Sequence, residues 1–278
     1  MNIDFCINDY LLAWALLFKP AISKENQQLK EKLWGIYKKQ YNQLGKDLHT
    51  ILVEDKDFIP DNDLLYNIVF NSAVFKKTKI ETEKYRFHLL KTFDEHKKEI
   101  KKIFEKNIKI KLKNEYQILL IHPRFNSIDL KMENKEHRNI CWGFEKDFDN
   151  ELSFIIKLYY TIMKYELDNN EEDLDIVNAI IELAILNELP TILKNKTYYL
   201  QGDKTLALLK RQIYPFFLMY MGADIEDYIT YMMRDKIAFD IDKYPVVKDL
   251  RKMDIISFIK FCIKNRKDIV NIDNIEII

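Results

Sequence analysis

A chain of 278 residues with only five glycines and six prolines has few places where it can turn sharply. Gly supplies the positive-φ positions of tight turns, and Pro pre-sets their first corner, so folds made of many short strands need both. Their scarcity points to long helices and few loops. Hydrophobic residues make up 47% and charged residues 32%, the balance of a globular chain and not of a disordered one. The fold class expected is α+β but predominantly α-helical, with about ten helices and one small sheet.

Local patterns place the elements. Residues 8–18 and 24–46 read as two helices parted by Pro20, with Ser23 as N-cap of the second. After Pro60, Asp61 or Asp63 is positioned to cap a further helix. Residues 80–108 carry Tyr85, Leu89, Phe93, His96, Ile100 and Phe104 at helical spacing, with Asp94/Lys98 and Glu105/Lys109 as i,i+4 pairs. "EYQILLIHP", "SIDLKM" and "NICWGF" then read as three β-like runs, so residues 116–144 are expected to form a three-stranded antiparallel sheet. Helical patterns resume to residue 265, with Asp203, Asp224 and Asp254 as caps. There is no repeat period and no Gly/Ser/Pro linker. The simplest organisation is one domain over 1–278, divisible into a helical part (1–112) and a sheet-plus-helical part (113–278).

Forty-four basic residues balance 44 acidic ones, so the whole molecule exerts no net pull on nucleic acid or anionic lipid. Within the chain the balance is uneven. Segment 76–113 has 14 basic against 6 acidic residues, and segment 145–203 has 5 against 13. The basic segment is one route to nucleic acid, although docking on acidic protein surface accounts for it as well. The three cysteines, Cys6, Cys141 and Cys262, are odd in number and widely spaced, which fits reduced thiols in the cytoplasm. Asp4 and Asp9 precede the first apolar run, the wrong sign for a signal peptide, and no membrane association is expected.

One stretch asks a chemical question. "IVNAIIELAILNELPTIL" (176–193) is apolar nearly all round, yet it holds Asn178, Glu182, Asn187 and Glu188. A buried carboxylate must be protonated or find a cation, and one held in a cleft is a functional-site candidate. Glu182 and Glu188 are accordingly the candidate catalytic residues. Asn178, Arg211, Tyr214 and Arg234 are the candidate binding residues, and Lys210, Arg124 and Arg138 are further partners for the carboxylates. A structural ion pair is the competing account. On a regular wheel the two glutamates lie about 120° apart, so each is expected to answer to a different neighbour. "IELAI" (181–185) keeps a Glu in the central place of H-E-x-x-H but has Ile181 and Ile185 where zinc peptidases have histidines, so at most it is a metal-free, zincin-like version.

No metal and no cofactor is expected. His122, His137 and Cys141 lack an anchoring C-x-x-C or H-x-x-x-H. "DNNEEDLD" (168–175) has Asp173 where a calcium loop needs Gly and Ala179 where it needs Glu. Phosphate loops and nucleophile elbows are also absent. What remains is a protein- or peptide-binding scaffold using the Tyr/Phe/Met/Arg helices at 208–236. The alternatives are a hydrolase-like cleft around Glu182 and nucleic-acid binding through 76–113. Oligomeric state is not readable.

Overall fold

The computed structural model describes residues 2–112, 115–127, 139–167, 173–194, 201–222 and 250–269. Most of them are helical, and they include one three-stranded sheet. The chain divides into two compact units: one takes 1–95 and 113–154, the other 96–112 and 155–278.

The sheet corrects the antiparallel expectation. Its strands are β1 (Asn2–Cys6), β2 (Glu115–Leu120) and β3 (Asn139–Trp142), in the order β1-β2-β3. Both pairings are parallel, with Phe5 opposite Ile118 and Leu119 opposite Cys141. The third strand is thus the N-terminal "NIDFC"; most of "SIDLKM" lies outside the described residues. Parallel sheets carry helices on both faces, so their strands read as continuous apolar runs and not as alternation. "ILL" and "ICW" are such runs. All four residues of β3 are buried.

The first unit covers both faces. On one lie Leu119 and Cys141, packed into a cluster with Leu11 to Leu17, Leu33, Tyr41, Ile51 and Tyr66. Those residues come from α1 (Asp9–Phe18), α2 (Lys24–Leu44), α3 (Leu48–Glu54) and α4 (Asp63–Asn71). On the other, Phe5 meets Phe93 of α5 (Ala73–Ile103) and Phe154 of α6 (Glu151–Leu167), at 5.7 and 6.1 Å between ring centres. Caps fall close to where the sequence puts them. Ser23 Oγ accepts the Asn26 N–H at 3.2 Å. The cap of α4 is Asn62, between the two aspartates expected for the role; its side chain accepts the Leu64 N–H at 2.8 Å.

The long helix starts earlier than expected and ends in a widened π turn, Phe104–Ile108. Lys109 follows with φ 51°, out of helical register, so Glu105 pairs with Lys101 at 3.8 Å. Lys109 Nζ instead donates to the carbonyls of Tyr220 and Arg251, at 2.5 and 2.7 Å.

The second unit contains α7 (Leu174–Glu182), a π turn (Leu183–Glu188), α8 (Leu189–Lys194), α9 (Ala207–Met221) and α10 (Ile255–Lys264). Asp254 caps α10 through the Ser257 N–H at 2.7 Å, and Asp203 accepts the Thr205 N–H at 2.8 Å; Asp224 lies outside the described residues. The aromatic residues of α9 face inward: Phe216, Phe217 and Tyr220 are buried, and Tyr220 stacks on Phe258 at 4.7 Å.

Candidate functional site

The stretch 174–194 is long and apolar enough to cross a membrane by composition, yet 67% of its most apolar window is buried inside the protein. It is also not one regular helix. Pro190 has no N–H to offer the carbonyl of Leu186, and the ladder is rearranged into the π turn just before it.

Glu182 is only 2% exposed. Its Oε2 accepts from Lys210 Nζ at 2.6 Å, and both oxygens accept from the Asp203 N–H at 3.1 Å. Tyr160 Oη donates to Oε1 at 3.4 Å. Lys210 is fully buried and also donates to the Gln201 carbonyl at 2.9 Å. Asn187 Oδ1 takes the Gln201 N–H at 3.0 Å. The polar groups of an otherwise apolar helix therefore hold the backbone of residues 201–203. Gly202 makes that approach possible. Its φ is +110°, and a Cβ there would lie 2.3 Å from Glu182 Oε2. Asn178 is half-buried and makes no hydrogen bond in this cluster among the described residues.

Glu188 is half-buried, and Tyr214 Oη donates to its Oε1 at 3.3 Å. Lys210 and Tyr214 are one turn apart on α9, so both glutamates answer to the same helix. The two carboxylates have different partners, as their separation on the helix wheel predicts, but both partners stand on α9. Of the remaining candidates, Tyr214 is buried, Arg211 is exposed and Arg234 lies outside the described residues.

Burial pushes the Glu188 carboxyl above its ordinary range, and the Tyr214 hydrogen bond offsets only part of this. The folded state therefore holds the Glu188 proton more tightly than the unfolded chain does. Its contribution to stability is unimpaired below the ordinary Glu range and falls as pH rises from there through the raised value. Glu188→Gln lacks this titration. Denaturation of both proteins from mildly acidic to neutral pH should show the variant gaining stability relative to wild type as pH rises; a pH-independent difference would contradict the assignment.

Three further arrangements escaped the sequence reading, because they join distant segments. Asp147 is fully buried and accepts from Tyr85 Oη and, at 2.8 Å, from Trp142 Nε1, tying α5 to the end of β3. His122 lies with Nε2 3.1 Å from Glu81 Oε2, and its Nδ1 accepts the Arg124 N–H at 3.3 Å. Both ring nitrogens are thereby engaged, and among the described residues no three His, Cys, Asp or Glu side chains converge as a metal site. The third is an outward row on α5: Lys76, Ile80, Lys84, Phe87 and Lys91 are all exposed, with Ile80 58% and Phe87 64% accessible. Their three- and four-residue spacing puts them on one face, opposite buried Tyr85 and Leu89. Only periodic counting of polar residues could have drawn attention to it, since lysines on a helix ordinarily mark a solvated face.

Compared with protein-family models, with curated proteins and with solved structures, the chain matches none.

Proposed function

We propose that this is a non-enzymatic protein-binding scaffold whose partner surface is the outer face of α5. The observation that carries this reading is the row in which Ile80 and Phe87, two turns apart, stand exposed between lysines. Single exposed apolar residues are ordinary, but two in register on one helix make the seam that a second helix needs. Covering a Phe and an Ile side chain is worth roughly 1.5–3 kcal/mol each. The flanking lysines call for acidic residues on the partner, as at the edges of a coiled-coil seam. The occupant is an acidic amphipathic helix with apolar residues at i and i+7. The aromatic-rich stretch 208–236, which lies outside the described residues beyond 222, gives less support to this role, because the described aromatics of α9 are core. A reducing compartment suits the three free thiols, so we assign the protein to the cytoplasm.

The hydrolase-like reading around Glu182 loses support for a geometric reason. A general base needs a free lone pair within reach of substrate, and this carboxylate is sealed against Lys210 and the Asp203 amide.

The test is fluorescence anisotropy with a synthetic helix carrying leucine at heptad spacing and flanking glutamates. Ile80→Ser with Phe87→Ser should weaken binding at least about tenfold while shifting stability by no more than about 0.5 kcal/mol. Lys84→Glu with Lys91→Glu should abolish it, and a lysine-flanked peptide should restore it. Equal binding by the serine variant overturns the proposal. So does tight, salt-sensitive binding of duplex DNA or RNA that ignores Phe87, which would favour the nucleic-acid reading.

A further inference from the structure

A second surface of the same unit has different chemistry. A cleft of about 320 Å³ opens between the start of α2, the first turns of α5 and the segment after β2. That segment follows the carboxyl end of a parallel strand, the edge at which α/β sheets hold their ligands. The volume sits at the small end of the range for small-molecule sites. Besides the small residues Ser23, Ala73 and Thr78, its lining is of three kinds. Ile22 and Val74 are apolar, Lys77 and Arg124 bring positive charge, and Glu25 and Glu81 bring negative charge. The charges are equal in number. A simple anion would meet the two carboxylates, and a simple cation would meet Lys77 and Arg124. A molecule bearing both charges a few bonds apart satisfies all four.

Glu81 is not a loose surface acid. His122, only 5% exposed, holds its Oε2 through Nε2 at 3.1 Å. The Arg124 N–H occupies His122 Nδ1, which leaves Nε2 as the donor to Glu81. The residue that brings a cation to the cleft thus also sets, through its own backbone, the ring that aims the anion. Paired placement of this sort costs ordering entropy that a merely solvated charge would not pay.

We propose that this cleft binds a small zwitterion, a dipeptide with free termini. Its carboxylate lies against Arg124 and Lys77, its ammonium against Glu81 and Glu25, and its aliphatic side chains on Ile22 and Val74. His122 is a positioning residue. This rests on observations separate from the exposed row of α5.

Calorimetric titration of the full chain with valyl-valine, its N-acetylated form, its C-amidated form and inorganic phosphate tests the assignment. The free dipeptide should bind, each blocked form should bind at least about tenfold more weakly, and phosphate should not bind. Arg124→Gln and Glu81→Gln should each weaken the free dipeptide by a similar factor, while His122→Gln should weaken it less. Phe87→Ser should leave it unchanged. The blocked-ligand series uses the unaltered protein and decides the matter even where a variant fails to fold. No binding of the free dipeptide at millimolar concentration, equal binding of the blocked forms, or competition by phosphate overturns the proposal.

Discussion

Replacing Lys210 by Met is expected to destabilise the protein by about 3–5 kcal/mol, because it leaves Glu182 buried without its cation. The carboxylate is 2% exposed and cannot turn to water, so only the Asp203 amide and the Tyr160 hydroxyl remain to it. Glu182→Leu is expected to cost a similar amount in mirror image, stranding a fully buried ammonium whose other partner is the Gln201 carbonyl. The double replacement should cost less than the sum of the two. It removes both charges together, and a buried ion pair contributes little beyond an apolar pair of similar volume. It should still lie below wild type by about 1–3 kcal/mol, since the Asp203 N–H and the Gln201 carbonyl lose their partners. Urea denaturation of the four proteins measures the coupling directly. Additive losses would mean that the two groups do not depend on each other. Stabilisation by Glu182→Leu would restore the functional reading, in which a strained carboxylate trades stability for activity.

Gly202→Ala is the second large effect. With φ at +110° the backbone is outside the regions that an L side chain occupies readily, a strain of about 1–3 kcal/mol. The added methyl would also stand 2.3 Å from Glu182 Oε2 and 2.8 Å from Leu186 Cδ1, so the ion pair or the loop must move. Together these predict a loss of about 3 kcal/mol or more. Gly35 is the matched control: it lies inside α2, and nothing stands within 4 Å of its would-be Cβ. Gly35→Ala should therefore stabilise by about 0.5–1 kcal/mol. Thermal or denaturant midpoints that failed to separate the two substitutions would refute the close approach at Gly202.

The helices and most of their caps could be read from the chain, because amphipathic spacing and capping chemistry act over a few residues. Ser23 and Asp254 needed no knowledge of anything distant. The sheet needed such knowledge. "NIDFC" is five residues long and runs straight into an apolar helix, and its partner strand begins only at Glu115. No local pattern announces a pairing across that distance. Hairpin logic then supplied the wrong direction for strands whose unbroken apolar character already indicated burial on both faces. The same division holds at the candidate site. That Glu182 must be protonated or find a cation followed from its apolar surroundings, and Lys210 stood among its possible partners. Gly202 was invisible, since its role exists only once residues 201–203 lie against α7. The aromatics of α9 were ambiguous in principle: Tyr, Phe and Met serve cores and grooves alike, and only burial separates the two uses.

The interleaving of the two units also bears on how the chain is made. Residues 96–112 belong to the second unit but leave the ribosome before residues 113–154, which complete the first. β1 is synthesised before its partner, and it has no β2 to pair with until Glu115 emerges. Vectorial synthesis thus delivers an early edge strand with its hydrogen-bonding groups unmet for about a hundred residues, a period in which rival pairing and aggregation compete. The α1–α4 helices, whose contacts are local, are the part able to form during that wait. Proteolysis carries the matching consequence: a single nick after Phe154 frees the whole first unit only by carrying off residues 96–112, which the second unit then lacks.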